Sequence, residues 1–206
     1  MPAAVKQEQA RTRLARRAVI GAARTLFLER GYAATTVEAI SALAEVPPAT
    51  VYRLFATKVG ILKALLDASI GGDDQPVPVQ ERPDVASLLD ETDTTKLLSG
   101  FVGVASAINQ RTNDLYTVLV EAARSDPAAA RLLEELEQQR ARGQRGIARA
   151  LDRNGSLRPG LRERDAADLI HALLSPEVYR LLVTDRRWTP DRYEDWLATT
   201  LLQQLT

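Results

Sequence analysis

The sequence predicts an all-α protein, with an N-terminal helix-turn-helix domain of three helices followed by a larger helical domain. Three observations predict it. Ala, Leu, Arg and Glu, all good helix formers, dominate the chain throughout. No stretch alternates β-branched residues with the period of two that a half-buried strand requires. Near the N-terminus, two short apolar-periodic segments joined by a tight turn sit inside what reads as a three-helix core.

The first helix is expected over about residues 11–30. Val19, Ile20, Ala23, Leu26 and Phe27 form one apolar stripe, with Arg13, Arg16, Arg17 and Arg24 off it. Gly31 follows as a C-cap. Thr35 and Thr36 offer an N-cap for a second helix over residues 37–44, which turns Val37, Ile40 and Leu43 to the core. Pro47 and Pro48 end it and open a third, because Pro is favoured at the first helical position. That helix, over residues 48–55, buries Val51, Leu54 and Phe55 and exposes Ala49, Thr50, Tyr52 and Arg53. Thr57 can cap a fourth, whose core residues are Val59, Ile61, Leu62, Leu65 and Leu66.

Residues 71–83, punctuated by Gly71, Gly72, Pro76, Pro78 and Pro83, form the strongest break and read as a linker or loosely ordered loop. The expected domains are therefore residues 1–70, with a basic arm over about residues 1–12, and residues 71–206. Further helices are expected over about residues 94–110, 115–125, 127–153, 165–184 and 190–205, with Asp126-Pro127 and Thr189-Pro190 as start signals. Pro176 either kinks the helix it falls in or begins a new one capped by Ser175.

Charge is unevenly spread. Lys+Arg and Asp+Glu are 27 each, for a net charge of zero, yet residues 1–70 carry ten basic side chains against five acidic ones. A basic head on an acidic body points to a polyanion partner, or equally to a solvated amphipathic helix. Cys is absent, which excludes disulfides, thiolate metal sites and a Cys nucleophile. His171 is the one histidine, so a His-only metal site is excluded too. No nucleophile–base pair, metal cluster or phosphate loop is visible, and no catalytic residue, metal or cofactor is expected. No run approaches the roughly 18 apolar residues of a membrane span, and the N-terminus lacks an apolar signal core. The expectation is a cytoplasmic protein with no membrane partner.

The second helix of a helix-turn-helix lies in the DNA major groove with its N-terminal residues on base edges. The segment from Pro48 to Arg53 has the form for this, because its exposed side chains are small or polar. Thr50 can meet a phosphate or a base edge, Tyr52 can donate its hydroxyl to a phosphate, and Arg53 can bind guanine in a bidentate way. Lys58, at a helix start, can reach the DNA backbone.

The chain here resembles the TetR family, the tetracycline-repressor-like regulators. The resemblance rests on the run from Val19 through Phe27, Glu29, Gly31 and Tyr32 to Thr35-Thr36, and then on Thr50-Val51-Tyr52 with Phe55 and Lys58 with Leu62. It covers roughly residues 13–66. It implies that Thr36 caps a helix and touches phosphate, that Tyr52 and Lys58 bind phosphate, and that Pro48, Ala49, Thr50 and Arg53 face the groove. Two departures stand out. Glu45 occupies a turn position that often holds Gly, which strains the backbone, and Pro47 stands where Ser or Thr usually caps the recognition helix.

For the body, the resemblance implies ligand binding and dimerisation. The last two helices would form a four-helix bundle with a partner through Leu169, Leu173, Tyr179, Leu182, Trp196, Leu197, Leu201 and Leu202, the lesser alternative being core within one chain. A ligand cavity would be lined by Phe101, Ile108, Tyr116, Leu119, Glu121, His171 and Tyr179, with space made by Gly100 and Gly103, and would take a small apolar or amphipathic effector. For His171 the stronger reading is an ordinary surface or core residue, as a lone His more often is. Arg140, Arg142, Arg145 and Arg149, with Glu134, Glu135 and Glu137, read as a solvated face. The implied function is a homodimeric, ligand-responsive repressor that binds double-stranded DNA at a pseudo-palindromic operator and is released by a small molecule. The alternative is a non-specific or architectural DNA-binding protein without an effector. A helical enzyme or metabolite carrier is the third class.

Overall fold

The structure is a computed structural model that describes residues 3–72 and 79–206. Residues 1–2 of the expected arm and residues 73–78 of the expected linker lie outside the described residues. In chain order the helices are α1 (Ala3–Ala34), α2 (Val37–Ala44), α3 (Pro48–Phe55), α4 (Lys58–Gly71), α5 (Pro83–Leu88), α6 (Thr94–Ala123), α7 (Pro127–Arg153), α8 (Glu163–Leu173), α9 (Pro176–Tyr179) and α10 (Pro190–Leu205). A 3₁₀ turn, Val79–Glu81, precedes α5, and a π-helical turn, Arg180–Asp185, continues α9. Among the described residues, no helix is long and apolar enough to cross a membrane. The chain forms two compact units, one of Met1–Ser69 with Asp114–Leu133 and one of Ile70–Asn113 with Glu134–Thr206. A cut near residue 70 thus misses the return of Asp114–Leu133 to the first unit.

In the N-terminal unit, α1, α2 and α3 pack on one another around fully buried Val19, Ala23, Phe27, Ile40 and Val51, with Ile61 and Leu62 of α4 equally buried. Gly31 breaks α1 near its end (φ 74°, ψ 172°), a conformation that glycine adopts without steric cost. Thr36 caps α2 by accepting a hydrogen bond from the Ala39 amide at 3.1 Å. Glu45 closes α2 in the left-handed region (φ 54°, ψ 34°), the strain its position foreshadows. The Glu45 and Val46 amides turn back onto Ala42 and Ser41 carbonyls, which satisfies the helix end. Leu43 corrects the expected core: it is exposed, because six positions after Val37 it falls off the stripe of Val37, Ile40 and Ser41.

In the C-terminal unit the core gathers Leu97, Leu98 and Val102 of α6, Ile147 and Leu151 of α7, Ala166 and Ile170 of α8, and Tyr193, Leu197 and Leu201 of α10. The expected break at residues 111–114 is absent, and α6 runs through it. Its polar side chains find partners without unwinding the helix: Thr112 donates to the Ile108 carbonyl and Asn113 to the Pro176 carbonyl, each at 2.8 Å. The short helix α5 begins at the last residue of the expected linker and runs through a stretch for which no helix was expected. Its Val85 is buried, and Gly100 of α6 makes room for Leu88. Of the two readings of Pro176 the structure shows the second, because the Ser175 hydroxyl accepts from the Val178 amide and α9 begins there. Tyr179, Leu197 and Leu201 are buried within the chain's own core, and Tyr179 meets Tyr193 edge to face at 5.1 Å. Leu169, Leu173, Leu182, Trp196 and Leu202 are half-buried.

Two glycines test the packing in opposite directions. A Cβ at Gly60 would sit directly on the Phe55 carbonyl oxygen, a backbone atom fixed by the α3–α4 corner. Gly60→Ala is therefore expected to destabilise by about 1–3 kcal/mol. Gly103, inside α6, has open space where its Cβ would be, so Gly103→Ala is expected to stabilise by about 1 kcal/mol. The urea midpoints of the two variants should move to opposite sides of the parent's.

Candidate functional site

The exposed face of the N-terminal unit begins at the α2–α3 turn. Pro47 (φ −54°, ψ 140°) precedes α3 and offers no side-chain cap; its carbonyl instead accepts from the Thr50 and Val51 amides. Val51 and Phe55 anchor α3 in the core, which leaves Pro48, Ala49, Tyr52 and Arg53 exposed and Thr50 half-buried. Arg53 is the one charged side chain of α3. The Tyr52 hydroxyl donates to Glu38 Oε1 at 3.0 Å, tying α3 to the first turn of α2, two residues from Thr36. That bond raises the Tyr52 pKa. It also helps to lower that of Glu38, where the first cause is a hydrogen bond from the residue's own backbone amide. The Arg16 guanidinium of α1 lies over the Phe55 ring of α3 at 4.8 Å.

Lys58 is turned inward. Its ammonium donates to the Tyr32 and Thr35 carbonyls at 2.9 and 3.0 Å and lies 4.0 Å from the centre of the Tyr32 ring. The Tyr32 hydroxyl in turn donates to Asp126 Oδ2 at 2.7 Å. Burial lowers the Lys58 pKa against the opposing pull of Asp126. Burial raises that of Tyr32, with Asp126 adding to the effect. Lys58 thus serves as a cap for the broken end of α1, and sequence reasoning, which saw only a cation at a helix start, missed this.

The C-terminal unit holds a cavity of about 540 Å³, within the size range of small-molecule sites. One wall is α6, presenting Phe101, Val104, Ala105 and Ile108 at helical spacing, with Asn109 beside them. The facing wall is α7, presenting Arg140, Gly143, Gln144 and Ile147. Of the expected lining residues, Phe101 and Ile108 are on this wall. Tyr116, Leu119 and Glu121 belong to the part of α6 that counts with the N-terminal unit, and Tyr179 is packed in the core. His171 stands behind the wall: its Nδ1 is 2.6 Å from Gln144 Oε1 and its Nε2 is 3.2 Å from Arg140 Nη2. Gly100 is filled by Leu88, and neither Gly100 nor Gly103 lines the cavity.

The expected solvated face of α7 divides. Arg145 and Arg149 are exposed, whereas Arg140 is half-buried and lines the cavity together with Arg142. The signal in the sequence was the spacing of Arg140, Gln144 and Ile147 with Gly143 and Gly146 between them, polar residues placed on an apolar stripe. Among the described residues, no three His, Cys, Asp or Glu side chains come together as a metal site would need.

A family model described as "Bacterial regulatory proteins, tetR family" matches residues 19–65, and one described as "Tetracyclin repressor-like, C-terminal domain" matches residues 90–200. An uncharacterized HTH-type transcriptional regulator of Bacillus subtilis (strain 168), YdeS, is 27% identical over 169 residues, which is 82% of this chain and 78% of YdeS. Among solved structures, NalD, the secondary repressor of the MexAB-OprM multidrug efflux pump in Pseudomonas aeruginosa, has a TM-score of 0.70 at 21% identity, covering 93% of this chain and 96% of that one. The regulator FadR of Bacillus subtilis, solved in complex with stearoyl-CoA, has a TM-score of 0.69 at 20% identity, covering 92% and 98%. These two likenesses concern the fold.

The single histidine allows a clean titration. An arginine only donates, so His171 Nε2 must accept from Arg140 and Nδ1 must carry the proton given to Gln144. Burial and Arg140 lower the His171 pKa, while Glu137, Asp168 and Glu177 pull it upward. The unfolded chain then binds more protons than the folded one between the folded pKa and about 6.5. The stability from neutral His171 is complete above about 6.5 and falls as pH drops through the folded pKa. Proton NMR of the imidazole ring should give a midpoint below 6.5, and the thermal midpoint should fall over the same pH interval.

Proposed function

The chain belongs to the tetracycline-repressor family of DNA-binding transcriptional regulators, and from that premise we propose that it is a homodimeric repressor whose operator binding is relieved by a small molecule. In this reading α3 enters the major groove of a pseudo-palindromic operator, with Ala49, Thr50 and Arg53 toward base edges and Thr36 and Tyr52 toward phosphates. The observation that carries it is the division of α3: Val51 and Phe55 are buried, while the small and polar residues on its other side stand exposed around one arginine. The cavity of the C-terminal unit supports the ligand arm of the reading, and the relatives named as a repressor and as a regulator with a bound small molecule accord with it. A ligand that prefers one spacing of two recognition helices shifts the population toward it, and DNA affinity changes by the same coupling. The protein would act in the cytoplasm, where its DNA lies.

Selection of bound sequences from a random DNA pool tests the DNA arm. The expected outcome is a two-fold-symmetric consensus. Arg53→Ala should weaken binding to that consensus by about 1–3 kcal/mol and relax preference at one position of each half-site. Tyr52→Phe should weaken all sequences alike, because a phosphate contact carries no sequence information. Enrichment without a consensus would favour the architectural reading instead.

The half-buried Leu169, Leu173, Leu182, Trp196 and Leu202 support dimerisation through the last two helices. Leu202→Glu would place a charge on that face. Sedimentation should show a dimer for the parent chain and a shift toward monomer for the variant, with operator affinity falling in step.

A further inference from the structure

Two donors on the cavity wall have nothing to donate to. Arg140 Nη1 and Asn109 Nδ2 are each shielded from solvent and lack a hydrogen-bond partner, and Asn109 is 5% exposed. Orphaned buried donors are costly, and more so when charged. The arginine is also held in place, because its Nη2 is bound to His171 Nε2, and His171 is bound in turn to Gln144. An imidazole that accepts from a guanidinium is neutral, so His171 orients Arg140 without cancelling its charge. No carboxylate is paired with Arg140 among the described residues. The lining does include one, Glu81, but Glu81 is exposed at the 3₁₀ turn, and Arg142 lines the cavity as well. The rest of the wall is largely apolar, with Phe101, Val104, Ile108, Leu89 and Ile147 prominent.

We propose that this cavity takes an organic anion with an apolar body, a carboxylate-headed amphiphile whose two oxygens are received by Arg140 Nη1 and Asn109 Nδ2 while its chain lies along the α6 wall. The proposal rests on the ligand-responsive reading above for its regulatory meaning, but not for its chemistry. A carboxylate supplies two acceptors and one negative charge, matching two vacant donors and one unpaired cation. A neutral amphiphile of the same length would leave the charge unanswered, and a cationic one would oppose it. His171 is a positioning residue here, acting through Arg140.

Calorimetric titration of the full chain, without DNA, with decanoate, decanol and decyltrimethylammonium tests this directly. Decanoate should bind at least tenfold more tightly than decanol, and the cation more weakly than both. Arg140→Met should reduce decanoate to about the affinity of decanol, so that the preference between the two is lost, and Asn109→Leu should act in the same direction by less. Decanol or the cation matching decanoate on the parent chain would overturn the proposal, as would binding of none of the three. The parent-chain comparison needs no variant to fold. Operator release is then measured separately: selective decanoate binding that leaves a DNA complex intact would uphold the anion site and count against the ligand-responsive reading alone.

Discussion

The N-terminal unit hangs on one ammonium group. Gly31 breaks α1, and at the break the Thr35 hydroxyl and amide donate to the Gly31 and Tyr32 carbonyls. Lys58 Nζ takes the Tyr32 and Thr35 carbonyls and rests against the Tyr32 ring. Because Lys58 is the first residue of α4, a single side chain fixes the start of one helix against the end of another. The α2–α3 pair sits between those two points in the chain. Tyr32 extends the arrangement to Asp126, at the turn between α6 and α7. A cation that caps helix carbonyls and a carboxylate that accepts from the same aromatic residue form one electrostatic chain, in which Lys58 and Asp126 each favour the other's charged form while Tyr32 between them is held neutral.

The helix α6 contributes to both compact units. Its residues from Phe101 to Asn109 wall the cavity, and from Asp114 it counts with the DNA-binding unit. It runs unbroken past Thr112 and Asn113, whose side chains donate to the Ile108 and Pro176 carbonyls. The Thr112 hydroxyl and the Asn113 side-chain amide are therefore bonded within the protein rather than to solvent.

How much of this was legible in the sequence depended on whether the deciding contacts were local. The limits of α2, α3 and α10 follow from Thr36, Pro47-Pro48 and Thr189-Pro190, whose effects reach no further than one helical turn. The burial of Asn113 in the middle of α6 was not legible, because its partner lies 63 residues away at Pro176. The inward turn of Lys58 was hidden for the same reason, since its acceptors arise at the Gly31 break. Arg140 shows a different limit. Periodicity tells which residues share a face, but not whether water or a neighbouring helix covers it. A lone histidine, ambiguous by composition, acquires a role only once Arg140 and Gln144 are seen on either side of it.

The bond between Tyr52 and Glu38 has a consequence for how this surface meets a polyanion. A phenol has one proton to give. A Tyr52 that donates to phosphate must first withdraw that proton from Glu38, and it leaves an exposed carboxylate near the approaching negative charge. In the free chain, Glu38 thus plays the part of the phosphate. It is an intramolecular competitor that preorients the hydroxyl and lowers the net gain of the contact. Engagement at this position is an exchange of one anion for another. Its balance shifts toward DNA whenever the carboxylate is neutralised, by a proton or by a change of side chain.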